Sequence, residues 1–147
     1  GDWSSDVCSS DLANALLIDG HGLLIRGAAG SGKSSLTLAL IENAQAQGRR
    51  AILIADDRVG MRVEGGQLIA APHPVIAGQI EKRGTGILTL PYAPEGRLTH
   101  VLDLMAKAPA PLAEKGTCDI EGVALAHFEA GAQPQAHALA LEILAQI

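Results

Sequence analysis

The chain has 147 residues, 48% hydrophobic and 18% charged, with a formal net charge of −5, which suits one soluble globular domain around a single core. Aromatic residues make up only 2%, so bases would find no stacking platform, and together with the negative charge this excludes nucleic acid as an expected partner. No apolar run reaches the ~20 residues a membrane helix needs and no secretory signal pattern is found, so a cytoplasmic protein without a membrane partner is expected.

The opening twelve residues, GDWSSDVCSSDL, hold the single tryptophan and one of the two cysteines, and they show neither helical nor strand periodicity. From Asp2 to Leu12 they read as one frame of a common sequencing-library adapter. Biological sequence is therefore expected to start at about Ala13, with residues 13–147 forming a single domain. Setting aside Asp2, Asp6 and Asp11 brings the charge three units closer to neutrality, and Cys118 is then the one native cysteine. Cys8 and Cys118 make neither a disulfide framework nor a metal knuckle.

ANALLIDGHGLLIRG, residues 13–27, reads as two short apolar strands joined by the turn DGHG, with His21 in the turn. The second strand runs into GAAGSGKSS at residues 27–35. This run fits G-x-x-x-x-G-K-[ST], with Gly27, Gly32, Lys33 and Ser34 in the fixed places. Small residues at this spacing let backbone N–H groups turn inward on an anion, while the lysine and serine reach a phosphate and its magnesium. Gly27, Ala28, Ala29, Gly30, Ser31, Gly32, Lys33, Ser34 and Ser35 are thus the candidate nucleotide-binding residues. A helix should follow, and residues 34–47 place Leu36, Leu40 and Ile41 on one apolar face, aiming a helix N-terminus at the phosphates. A hairpin leading into such a loop implies an antiparallel or mixed sheet, where a helical crossover would imply a parallel one.

Further along, AILIA at residues 51–55 is a buried strand ending at Asp56 and Asp57. VGMRVEGGQLIAA is a second hairpin about Glu64, Gly65 and Gly66. Pro72 and Pro74 break the chain. GILTL (86–90) and HVLDLM (100–105) are strand candidates, residues 106–116 read as a loop or linker around Pro109 and Pro111, and residues 122–130 read as a last strand. Residues 134–147 form a terminal helix with Pro134 near its start and Leu141 and Leu144 turned inward. The fold class expected is α/β with a mixed sheet and few helices.

Beyond the loop, two groups of residues could carry chemistry. Asp56 and Asp57 follow the strand after the loop helix, where phosphate-loop enzymes place a carboxylate near magnesium. One of the two could hold the metal shell while the other takes a proton from an attacking hydroxyl. Glu81 and Arg83 lie in IEKRGTGI; by itself this segment reads as a solvated turn, yet a carboxylate there could complete a magnesium site and a guanidinium could clamp a phosphoryl group. His73, His100, His127 and His137 share no metal-ligand spacing and read as ordinary histidines.

The order of hairpin, GAAGSGKSS, LIADDRV (53–59) and IEKRGTGIL (80–88) resembles the catalytic domain of the HPr kinase/phosphorylase family. The likeness spans about residues 13–147 and is greatest to the short form typical of alphaproteobacteria, which lacks the N-terminal domain. It implies a fold like phosphoenolpyruvate carboxykinase and the use of ATP and magnesium to phosphorylate a serine on the phosphocarrier protein HPr or a relative, in the control of carbohydrate and nitrogen metabolism. By the family pattern Lys33 would contact the transferred phosphate, Ser34 and Glu81 would serve magnesium, and Asp57, in preference to Asp56, would be the base. Residues 80–89, with Arg83 among them, would form the stretch tied to catalysis. A homo-hexamer is also implied.

The chain departs from that pattern in three places. The family's functional histidine, in a His-Ala-Thr stretch, would fall at Leu12, with Ala13 matching and Asn14 in place of threonine. ENAQAQGRR (42–50) lengthens the connection after the helix, which is expected to extend the helix on the surface. No match is found for the later Pro/Arg/Gly-rich segment used in dephosphorylation, so the resemblance does not carry phosphorylase activity. A nucleotide-sensing domain that binds ATP without transfer is the rival reading. A small-molecule kinase would need a lid of several arginines, and after Arg83 only Arg97 is available.

Overall fold

The computed structural model describes residues 13–105, 111–131 and 136–147; residues 1–12, taken in the sequence as translated adapter, and Pro109 and Pro134 lie outside them. The chain opens as the expected hairpin, β1 (Ala13–Ile18) against β2 (His21–Arg26). Its turn is the two residues Asp19 and Gly20, both at positive φ (51° and 83°), the backbone twist that suits a tight antiparallel reversal. His21 therefore lies not in the turn but in the strand, paired with Ile18. Helix α1 (Lys33–Ala46) follows, then β3 (Ala51–Ala55) and the hairpin β4 (Val59–Glu64) with β5 (Gln67–Pro72). A 3-10 turn (Pro74–Ile76) leads to a small two-stranded sheet of β6 (Gln79–Lys82) and β7 (Gly86–Thr89). Strands β8 (Gly96–Met105), β9 (Ala113–Ile120) and β10 (Val123–Gly131) and helix α2 (Ala136–Leu144) complete the described chain.

The main sheet is mixed, in the order β3-β1-β2-β8-β10-β9. β2 and β10 run parallel to β8, while the β1–β2, β1–β3 and β9–β10 pairs are antiparallel. β8 is the pivot: its first residues pair with β5 and its later ones with β10. Strand alternation divides the core between two faces. Leu23, Ile25, Leu102, Leu104 and Phe128 pack with Leu36, Leu40 and Ile41 of α1 and Ile143 of α2. Leu24, Val101 and Leu125 face the other way, under Val59, Met61 and Leu68 of the β4–β5 hairpin. With so few aromatics the space is filled by aliphatic side chains from neighbouring elements. At the β2–β8 junction the backbones come so close that a Cβ on Gly22 would stand 2.2 Å from the Arg97 carbonyl oxygen.

Four expectations need correction. Residues 113–116 are strand, not loop: β9 is an edge strand held by its ladder to β10, and its mostly exposed, charged residues gave no apolar alternation to read. Gln79–Lys82 is likewise strand, so Glu81 lies in β6 and not in a turn. β8 begins four residues before His100, because Gly96 and Arg97 pair with β5. Leu141 is 40% exposed, while Leu139, Ala140, Ile143 and Leu144 are buried; at 100° per residue, position 141 falls on the outer side of that stripe. Helix α1 does extend to Ala46, as the longer connection implied. Among the described residues no helix is long and apolar enough to cross a membrane.

Candidate active site

Residues 27–32 link the end of β2 to the start of α1, the strand–loop–helix arrangement expected of GAAGSGKSS. Gly30 and Gly32 have φ of 80° and 98°, values that an L side chain seldom adopts. Gly32 is the N-cap of α1 and brings no side-chain bond, and the first turn carries no acidic residue. The first N–H groups of a helix have no partner within it, so this helix start has the open N–H groups and positive dipole end that suit an anion. Among the described residues, Ser31 Oγ is the one buried side-chain polar atom without a hydrogen-bond partner.

A cleft of about 580 Å³ opens over this loop, lined by residues 29–36 together with Asp56, Asp57, Glu81 and Arg83, and with Leu104 and Leu139 as apolar contributors. Every candidate from the sequence lines it except Gly27 and Ala28. Those two act through their carbonyl oxygens, which accept hydrogen bonds from Lys33 Nζ at 3.0 and 3.4 Å. The Lys33 side chain is only 6% exposed, and Asp57 Oδ1 lies 3.8 Å from its ammonium.

The two adjacent acids have different surroundings. Asp56 Oδ1 accepts from Ser34 Oγ at 2.5 Å and from Asn14 Nδ2 at 2.6 Å, and its Oδ2 accepts from the Glu81 backbone N–H at 3.1 Å. Asp57, in contrast, is 60% exposed on its side chain and sits at φ 68°, in the left-handed region. Its backbone N–H donates to Asn14 Oδ1 at 2.9 Å. Thus β3 delivers both acids to the cleft, but one is held by three donors and the other projects into the opening. Glu81 arrives because β6 lays its main chain against Asp56; its side chain is exposed, as is that of Arg83.

Asn14 and Thr37 were missed as site residues. Both are completely buried, and Asn14 Nδ2 also donates to Thr37 Oγ1 at 3.0 Å. The available signal was one amide in the otherwise apolar strand ANALLI, which a fold must satisfy with partners.

A second polar group lies just before the loop, on the face away from α1. Arg26 Nε and Nη2 fork onto the two Asp103 oxygens at 2.7 and 2.8 Å, and His127 Nε2 lies 2.7 Å from Asp103 Oδ2. Burial pushes the Asp103 carboxyl up, but the hydrogen bonds and charges of Arg26 and His127 outweigh it and leave the group below its ordinary value. Arg26 is raised, chiefly by its bond to Asp103. Ligand atoms of Asp103, His127 and Glu129 lie within 4.8 Å of one another, yet the guanidinium already engages the Asp103 carboxylate, so the cluster is an ion-pair network that braces β2 against β8. Nearby, burial and the neighbouring His21 hold His100 below the usual imidazole range.

Known proteins resemble this chain in sequence and in fold. The HPr kinase/phosphorylase of Clostridium tetani is 40% identical over 95 residues, 62% of this chain and 28% of that protein. The HPr kinase/phosphorylase of Mycoplasma mycoides is 37% identical over 73 residues, 50% of this chain and 21% of its own length. The chain thus spans less than a third of either relative. The solved structure of the HPr(Ser) kinase/phosphatase from Coxiella burnetii superposes with a TM-score of 0.67 at 30% identity, covering 90% of this chain and 89% of that one. A family model described as the HPr serine kinase C-terminal domain matches residues 9–93, more than half of the sequence and every candidate residue of the cleft. The chain belongs to the HPr serine kinase C-terminal domain family.

Proposed function

We propose that this chain is the catalytic part of an ATP-dependent serine kinase acting on HPr or a related phosphocarrier protein, built on a phosphoenolpyruvate-carboxykinase-like fold. The observation that carries the proposal is the pairing of an uncapped helix start with two acids in unlike settings across one cleft. An uncapped N-terminus, glycines at positive φ and an orphaned Ser31 hydroxyl fit a polyphosphate, which supplies oxygens to all of them. Lys33, fixed by the Gly27 and Ala28 carbonyls, is placed to neutralise charge on the transferred group.

Ser34, Asp56 and Glu81 are the residues that would hold magnesium, since hydroxyl and carboxylate oxygens are hard donors suited to it; when bound, the ion would neutralise phosphate charge. Asp57 is the acid left with an open side chain. It accepts the proton of the incoming serine hydroxyl as that oxygen bonds to the γ-phosphorus, the bond to the bridging oxygen breaks, and ADP departs. Its 3.8 Å separation from Lys33 keeps base and phosphate ligand side by side, so most of the acceleration comes from positioning. Arg83, which also lines the cleft, would clamp the phosphoryl group.

The test is transfer of labelled γ-phosphate to purified HPr. Lys33→Ala should abolish labelling, because among the described residues no other lysine lines the cleft. Labelling at the unaltered rate in that variant would refute the proposal.

A further inference from the structure

Asn14 makes contacts that the family resemblance does not account for and that the proposed reaction needs. It lies on β1, one strand away from the acids, and is 0% exposed. Its amide has two unlike ends, and each engages a different acid. Nδ2 donates to Asp56 Oδ1 at 2.6 Å, and Oδ1 accepts from the Asp57 backbone N–H at 2.9 Å. A swapped amide would set oxygen against the Asp56 carboxylate and N–H against the Asp57 N–H, so the network permits one orientation.

The same Nδ2 donates to Thr37 Oγ1 at 3.0 Å, and that hydroxyl donates in turn to the Lys33 carbonyl at 2.8 Å. One side chain on β1 therefore ties the end of β3 to the first turn of α1. The β1–β3 register shifts between Ala15 and Leu16, an irregularity that takes the end of β3 out of regular pairing at the point where the acids leave the sheet. An aspartate at φ 68° is held in a sparsely populated backbone region, and the Asn14 oxygen secures the N–H of that residue.

We infer that Asn14 is the positioning residue of the acid pair: it locks Asp56 against Ser34 and fixes the left-handed turn that presents Asp57 to the cleft. This deepens the proposed kinase reading and rests on it for its effect on turnover. Asn14 touches no substrate. Its loss misplaces Asp57 relative to the attacking hydroxyl while leaving the glycine-rich loop, and hence ATP binding, in place.

Two measurements on Asn14→Ala in the full chain test the assignment. The first is amide hydrogen exchange at Asp57. It should accelerate at least about tenfold, because the one acceptor for that N–H is gone, while Leu53 and Ile54 in β3 exchange as before. The second is phosphate transfer to HPr, where kcat should fall about 100-fold or more with the Kd for ATP changed less than about threefold. Unchanged exchange at Asp57, or parallel losses in ATP affinity and kcat, would overturn the assignment. If the unaltered chain transfers no phosphate, the kinase reading fails, and the exchange measurement still decides whether Asn14 holds the acids. Should Asn14→Ala not fold, Asn14→Ser retains one small hydroxyl in place of two amide ends; it should lose at least about threefold in kcat, again without loss of ATP affinity.

Discussion

Exchanging each acid of the pair for its amide separates structure from chemistry within two adjacent residues. Asp56 accepts three hydrogen bonds, from Asn14 Nδ2, Ser34 Oγ and the Glu81 N–H. In Asp56→Asn the remaining oxygen can keep the first two, but the new NH2 then faces the Glu81 N–H, donor against donor. One charge-assisted bond is lost and the negative charge disappears from the other two, which costs about 1–3 kcal/mol. For a domain of this size that is roughly 3–10 °C in Tm. Asp57→Asn removes only an exposed carboxylate 3.8 Å from Lys33, and asparagine tolerates the φ of 68°. Its stability should stay within about 0.5 kcal/mol of the original, yet phosphate transfer should fall at least about 100-fold for want of the base. Thermal melting and labelling of HPr, run on both variants, give the answer. A Tm loss in Asp57→Asn equal to that in Asp56→Asn, or undiminished transfer by Asp57→Asn, would refute the division of labour.

Two further predictions concern the sheet that carries the loop. Asp103 lies below its ordinary value of 3.8 in the folded chain, so its contribution to stability is full at neutral pH and is lost as pH falls below about 4, through the folded value. Asp103→Asn should lose about 1–3 kcal/mol at pH 7 by stranding Arg26, and urea titrations should show that gap narrowing as the pH falls below 4; a constant gap would contradict the ion-pair account. Gly22→Ala should destabilise the chain by at least about 1–3 kcal/mol, since the new Cβ meets the Arg97 main chain at 2.2 Å and backbone cannot yield as a side chain can; an unchanged urea midpoint would contradict the close approach.

Where structure depended on neighbours in the chain, the sequence was readable. The β1–β2 hairpin was visible because Asp19 and Gly20 sit between two apolar runs, and the loop because its glycines and lysine keep a fixed spacing. That hairpin was enough to foresee the mixed sheet, since β2 enters the loop from an antiparallel partner and still pairs in parallel with β8. β6 and β9 went unread because charged edge strands are held by main-chain bonds to one partner, and side-chain pattern carries no record of that. Leu141 was misplaced because the run ALALEIL is apolar on several sides, and only packing selects which side turns in. Lys33, Ser34, Asp56 and Asp57 were picked out by the loop motif and its spacing, Glu81 and Arg83 by the family resemblance, and the fold brings all of these candidates to one cleft. Which acid is held and which is open was not legible. That difference is set by Asn14, Ser34 and the main chain of Glu81, three partners from three separate elements, and no local spacing encodes it.

The grip of the glycine-rich loop on a triphosphate is tested most directly by titrating the purified chain with ATP in a calorimeter, with and without magnesium. The account predicts saturable binding at one site per chain, strengthened by magnesium and lost in Lys33→Ala. Heats that show no binding with magnesium present, or binding of equal strength in Lys33→Ala, would contradict it.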